Sequence, residues 1–302
     1  MRRFLSVAVA ASLLAAPALA APGDFALEDV RYLSTDAMQG RAVGTEGNID
    51  ARLYILGRMR EIGLEPLDQE FTFKTRGGAE VTGVNLMAKI SGTQPGGKAI
   101  VVTAHYDHLG VRGGEIFNGA DDNASGVAGA LAVAEAFKAQ PPKHDVWIVF
   151  LDAEENGLRG ARAFVASPPA PLAGIGLNVN FDMLSKNARG ELYVAGGSPF
   201  PWLKARLERL AASAPVILKL GHDTDVDGPQ NNWTSQSDHG VFAAAGVPWV
   251  YFGVEDYPEY HKPTDDFATI PQPFFRDAIT TVVAAVRLFD DDLDAMMTEA
   301  GR

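Results

Sequence analysis

The sequence predicts a three-layer α/β/α sandwich around a mixed, largely parallel central sheet, and three observations carry that prediction. Runs such as Ala99-Ile100-Val101-Val102-Thr103 and Val146-Trp147-Ile148-Val149-Phe150-Leu151 are continuously apolar rather than alternating, as in strands covered on both faces. Stretches of helical periodicity lie between these runs, which is the pattern of α/β layering. Short islands of histidine and carboxylate follow the apolar runs, where the loops beyond the strand C-termini of such a sheet gather into one crevice.

Each segment follows in order. The first twenty residues combine Arg2 and Arg3, an apolar stretch from Phe4 to Leu14, and Ala18-Leu19-Ala20 before Ala21. This is the pattern of a secretory signal peptide, and the apolar stretch is short for a membrane span. The expected mature unit is therefore 21–302, one domain exported to the periplasm or the medium. After a helical opening near 27–33, the segment 46–62 places Ile49, Leu53, Leu56, Met59 and Ile62 at three-to-four spacing and stops at Gly63. Those five residues are the expected buried face. Strands are expected at 70–74, 84–90, 99–104, 146–151, 177–181, 191–194, 216–220 and 248–252, and helices at 125–139, 160–166, 200–213, 240–245 and 273–296.

Composition narrows the function. The 302 residues include no cysteine, which excludes structural disulfides and lipid attachment at the cleavage site. The net charge is −12, and without Arg2 and Arg3 the mature chain keeps 24 basic against 38 acidic residues. Such a surface repels nucleic acid and anionic membrane, so neither nucleic acid nor stable membrane association is expected.

The chemistry-bearing residues are His105-Tyr106-Asp107, Asp121-Asp122-Asn123, Glu154-Glu155, Asp182 and His261. Taken singly, each has a structural explanation: a hydrogen-bonded pair, a helix cap, an acidic turn. Together they supply what a two-metal hydrolase needs, an imidazole and a carboxylate for each ion and one carboxylate shared. In an extended chain, positions i and i+2 share a side, so Asp107 can accept from the distal imidazole N–H while His105 holds a metal. One of the two aspartates at 121–122 is the expected shared ligand. Glu154 and Glu155 reach one site only if the strand gives way to a loop, as Gly157 suggests; one then binds metal and the other acts as general base.

With these motifs goes a resemblance to peptidase family M28, the co-catalytic di-zinc aminopeptidases. It runs from Gln39-Gly40-Arg41 and Gly63-Leu64-Glu65-Pro66 through His105-Tyr106-Asp107-His108-Leu109-Gly110 to Ser237-Asp238-His239 and Tyr260-His261-Lys262-Pro263-Thr264-Asp265. The resemblance implies a zinc-dependent exopeptidase fold without a protease-associated insert, and two zinc ions per chain. It implies that His105 and Asp182 hold one zinc, Glu155 and His261 the other, with Asp122 bridging. Glu154 would then be the general base and Asp107 the partner of His105; Tyr260, adjacent to His261, is a candidate hydrogen-bond donor to the reacting oxygen. The resemblance further implies a cis peptide between Asp122 and Asn123. The implied activity is hydrolysis of N-terminal residues from peptides with a free amino terminus.

One departure concerns the residue before Ser237-Asp238-His239, which is an arginine in some members and Gln236 here. Phe117, Trp233, Tyr251 and Tyr257 are candidates for an apolar specificity pocket, although scattered aromatics are more often core. Asp223-Thr224-Asp225-Val226-Asp227-Gly228 matches the start of a calcium loop, with Asp223, Asp225 and Asp227 as oxygen donors, but position twelve is Thr234 rather than glutamate. The rival enzymatic readings are a carboxypeptidase or dipeptidase, using Arg159, Arg162 or Lys262 for a substrate carboxylate, and a glutaminyl-cyclase-like enzyme. A metal-free binding module is the rival from another class.

Overall fold

The apolar runs become strands of one eight-stranded sheet in a computed structural model that describes residues 22–94, 96–226 and 228–302. The expected signal peptide lies outside the described residues. In chain order the strands are β1 (Leu67–Lys74), β2 (Glu80–Ile90), β3 (Ala99–His105), β4 (Gly110–Arg112), β5 (Glu115–Phe117), β6 (Val146–Leu151), β7 (Ile175–Phe181), β8 (Glu191–Ala195), β9 (Ile217–Leu220) and β10 (Trp249–Gly253). The large sheet has the order β1-β2-β6-β3-β7-β10-β8-β9, and β4-β5 form a separate small hairpin. Its four central strands, β6, β3, β7 and β10, are mutually parallel. Antiparallel pairings join β1 to β2, β2 to β6 and β10 to β8.

Helices α1 (Pro22–Leu33), α2 (Glu46–Glu61), α3 (Gly126–Ala139), α5 (Pro201–Ala211) and α7 (Gln272–Glu299) pack into the larger core cluster. Helices α4 (Arg159–Ala166) and α6 (His239–Ala244) cover the opposite face. Alternate strand residues sort between the two cores, which is why the runs are continuously apolar. Ile100, Val102, Ile148 and Phe150 face the larger core, and Val101, Trp147, Val149 and Leu151 the smaller one. The long α7 supplies Phe275, Ile279, Val282, Val286, Phe289, Leu293 and Met296, a buried stripe of alternating four- and three-residue steps.

The buried face of α2 differs from the expected one. Leu56 and Met59 are buried as expected, but Ile49 and Leu53 are 41% and 59% exposed, and Ala51 and Ile55 are buried instead. A polar bond fixes this rotation: the buried Asn48 donates from Nδ2 to Asp152 Oδ1 at 3.0 Å. The Gly63 stop holds, with φ +83° and an N–H donated to Arg60 O.

Because β6, β3, β7 and β10 run parallel, their C-terminal ends lie along one edge. His105 ends β3, Asp152 to Glu155 follow β6, Asp182 follows β7, and the segment containing His261 follows β10. Four of the five sequence islands thus converge by topology. The fifth, Asp121-Asp122, opens α3 against the end of β7. Gly126 permits that approach, since a Cβ there would lie 2.3 Å from Asn123 Oδ1 and 2.5 Å from Phe181 O.

Candidate metal centre

His105 Nε2 lies 3.2 Å from Asp182 Oδ1 and 3.4 Å from Asp122 Oδ1. The other oxygen of Asp122, Oδ2, lies 3.1 Å from His261 Nε2, which is itself 3.5 Å from Glu155 Oε1. Asp122 therefore faces two ligand sets with its two oxygens. The five residues expected to hold metal come together, and the peptide between Asp122 and Asn123 is cis.

Each side chain is positioned by its backbone. Beyond Leu151, Ala153 has φ +57°, and Glu154 O accepts from the N–H groups of Gly157 and Leu158, so the strand does give way to a turn. The Asp107 carboxylate accepts from the backbone N–H groups of Glu154 (3.0 Å) and Glu155 (3.3 Å) and thereby pins that turn. Toward His105, the nearer acceptor for Nδ1 is the Asp107 carbonyl at 3.2 Å, with the carboxylate at 3.7 Å. Asp107 thus orients the imidazole mainly through its main chain. Met183 and His261 also have positive φ, 65° and 54°. Three non-glycine residues in left-handed conformations therefore sit at or next to residues of the site, where backbone strain of about 1–3 kcal/mol each has to be held by the surroundings.

Two buried groups hold the bridging loop. Asp265 accepts from the N–H groups of Asp121 and Asp122, and Lys186 Nζ sits 2.7 Å from its Oδ1. Arg41 is fully buried and donates to four main-chain carbonyls: Tyr106 (2.8 Å), Leu33 (2.7 Å), Asn118 (2.6 Å) and Gly119 (2.9 Å). Burial lowers its pKa to about 10, so it stays cationic at neutral pH.

The electrostatics call for cations. Burial acts to raise Asp122, but His108, His105 and His261 overcome it and hold the carboxyl well below the usual range. Burial likewise acts to lower His105 and His261, yet the surrounding carboxylates raise His105 well above its ordinary value and His261 to about 10. Glu154 is pushed well above the carboxylate range, first by burial and then by Asp238, Asp182 and Glu155. Glu155 Oε1 is buried without a hydrogen-bond partner. A surplus of converging carboxylates, orphaned ligand atoms and two groups of ligand atoms within 4.8 Å fit divalent metal.

Sequence reasoning gave no role to His108 or Asp238. His108 belongs to the second of those metal-competent groups, with Asp122 and Glu155. Asp238 is fully buried without a partner, and burial pushes it up to about 8. The preceding Ser237 is tied down by Asn180 Nδ2 at 2.9 Å.

The centre opens into a cleft of about 340 Å³, lined also by Leu158, Met183, Trp233, Tyr251, Asp256 and Tyr260. Of the four aromatics considered as pocket walls, Trp233 and Tyr251 line it; Tyr257 instead donates its hydroxyl to Asp265, and Phe117 lies in the β4-β5 hairpin. Gln236 lines it too, its amide donating to the Gln230 and Asn232 carbonyls. Tyr260 stacks on the His261 ring at 3.9 Å. Among the described residues, no lysine or arginine lines the cleft. Arg159 and Arg162 instead donate to Asn156 O and Gly157 O, and Lys262 to Pro258 O.

The model of peptidase family M28 matches residues 85–286, which span every one of the residues expected to hold metal. The chain belongs to that family. Among its relatives, aminopeptidase YwaD of Bacillus subtilis (strain 168) is 30% identical over 199 residues, covering 62% of this chain and 40% of that protein. The chain spans less than half the length of the curated relatives it matches first. In fold, this M28 chain is similar to BSAP, a zinc aminopeptidase from Bacillus subtilis, with TM-score 0.73 and 19% identity over 87% of this chain and 94% of that one. It is equally similar to Porphyromonas gingivalis glutaminyl cyclase, with TM-score 0.74 and 19% identity over 87% of this chain and 97% of that one.

The calcium-loop expectation finds other partners. Asp223 Oδ2 accepts from the N–H groups of Gly196 and Ser198, and Asp225 Oδ1 from Asn232 Nδ2. Asp227 lies outside the described residues. Protein donors account for the two aspartates that are described.

Proposed function

We propose that this M28 chain is a zinc-dependent aminopeptidase holding two zinc ions across Asp122. His105 and Asp182 would hold one ion, and Glu155 and His261 the other. When bound, the ions supply Lewis acidity, polarising a scissile carbonyl and acidifying a water. Glu154 faces the same cleft without serving either ligand set, so its carboxylate takes the proton of the attacking water and returns it to the departing amine. Burial keeps the Tyr260 phenol protonated at working pH, as a donor toward the carbonyl oxygen as negative charge grows there.

The observation that carries the choice of aminopeptidase is the charge of the cleft. Asp256 lines it beyond the proposed ligands and base, and among the described residues no lysine or arginine does, which suits a substrate ammonium and leaves a substrate carboxylate without a partner. The name of the Bacillus subtilis relative, an aminopeptidase, agrees. On this reading the mature enzyme works in the periplasm or the medium on peptides with a free amino terminus.

Glu154→Gln separates binding from chemistry. We expect this variant to bind zinc with unchanged stoichiometry and to lose turnover by roughly 100- to 10,000-fold, the range for a general acid–base group. Unchanged turnover would remove Glu154 from the mechanism.

A further inference from the structure

His108 follows the ligand His105 by three residues, and its side chain is completely buried. Its Nδ1 stands 2.9 Å from Glu155 Oε1 and 3.8 Å from Asp122 Oδ2, the oxygen that also faces His261. Neither nitrogen of the ring has a hydrogen-bond partner, and neither does Glu155 Oε1. Nδ1 and Oε1 are within hydrogen-bond distance but poorly aligned for one. Two buried ligand atoms thus converge in an alignment that a third partner between them would complete, and Nε2 of the same ring has no partner at all.

The ring cannot easily turn away. Gly119, at φ +57°, packs so close that a Cβ there would meet His108 Cδ2 at 2.5 Å. The His108 N–H is donated to Arg41 O, whose own side chain grips the carbonyls on either side of this loop. The second imidazole on this side, His261, is 39% exposed and rides on a surface turn. The buried imidazole is the better anchored of the two, and its ring centroid lies 5.9 Å from that of His261.

We propose that His108 binds metal directly through Nδ1, as a third imidazole of the centre, on the side of Asp122 that faces Glu155 and His261. This inference rests on the two-zinc reading above. It makes the two sites unequal: the Glu155 side has four protein donors and the His105 side three. The Glu155 side therefore fills first and empties last.

Zinc titration of the metal-free full-length mature protein, followed by calorimetry and elemental analysis, tests both statements. The wild type is expected to take up two zinc ions in two separable steps. His108→Ala and His108→Gln are both expected to lose the tighter step, weakening it by roughly 100-fold, the upper end of what loss of a supporting partner costs. Glutamine keeps an N–H for Glu155 but is a poor zinc ligand, so normal affinity in His108→Gln with loss in His108→Ala would reduce His108 to a positioning residue and overturn the proposal. Should the variants fail to fold, X-ray absorption of the fully loaded wild type decides. Three imidazoles shared between two zincs support the proposal, and two imidazoles overturn it. A wild type that binds fewer than two zincs would instead overturn the two-zinc reading.

Discussion

At the scale of single residues, the second face of the sheet carries an acid-sensitive group far from any ligand role. His239 is fully buried against Trp249 and Tyr251, donates Nε2–H to Trp233 O at 2.8 Å, and has no partner at Nδ1. Burial lowers its pKa from 6.5 to about 3. The folded state thus refuses a proton that the unfolded state accepts between those values. Stability from this group is complete above pH 6.5 and is lost as pH falls toward 3. Urea unfolding of the metal-free protein should therefore lose roughly 2–3 kcal/mol from this residue between pH 7 and pH 4.5, and His239→Gln should show a correspondingly flatter profile. Equal pH slopes for the two proteins would contradict the assignment. Of the residues that converge at the centre, His105 and Asp182 were legible because each stands at the end of an apolar run, where strand geometry leaves little freedom, and Asp122, Glu155 and His261 through the motifs around them. His108 was not, since the direction of a side chain three residues beyond a strand depends on Gly119, which is distant in sequence.

At the scale of elements, one buried guanidinium joins the end of α1, the loop after β3 and the loop before Asp122. Arg41 donates to four carbonyls from these segments. Arg41→Met keeps much of the volume and removes the donor these buried acceptors share, so we expect a loss of about 3 kcal/mol or more in unfolding free energy, together with weaker zinc binding. A loss under 1 kcal/mol by denaturant titration would mean that the loops hold themselves. The strands of the large sheet and the helices were legible, yet the buried face of α2 was not. Ile49 and Leu53 fit the helical period, but the Asn48–Asp152 bond turns them to solvent. Polar bonds between distant elements leave no periodic trace. The β4-β5 hairpin was also missed, although Gly113-Gly114 between two short runs is a hairpin signal. Three-residue strands are too short to show alternation.

At the scale of the whole molecule, the layering followed from runs covered on both faces, and the convergence of the islands followed from the parallel centre of the sheet. The strand order β2-β6-β3-β7-β10-β8 was beyond the sequence, because nothing local says which strand lies beside which. With no cysteine, cohesion rests on two hydrophobic cores and on the proposed metals. Reductant should leave the Tm unchanged. Chelation should lower it by roughly 10 °C for each zinc held at about a thousand times its Kd, read by differential scanning calorimetry with and without chelator. The central claim, a two-zinc centre that hydrolyses at a free amino terminus, is met most directly by one assay. Purified mature protein is given a panel of aminoacyl p-nitroanilides and their N-acetylated counterparts, with and without added zinc. Zinc-dependent release from the free-amine substrates alone is the predicted result. Release from the acetylated substrates, or silence across the panel in zinc-loaded protein, would contradict it.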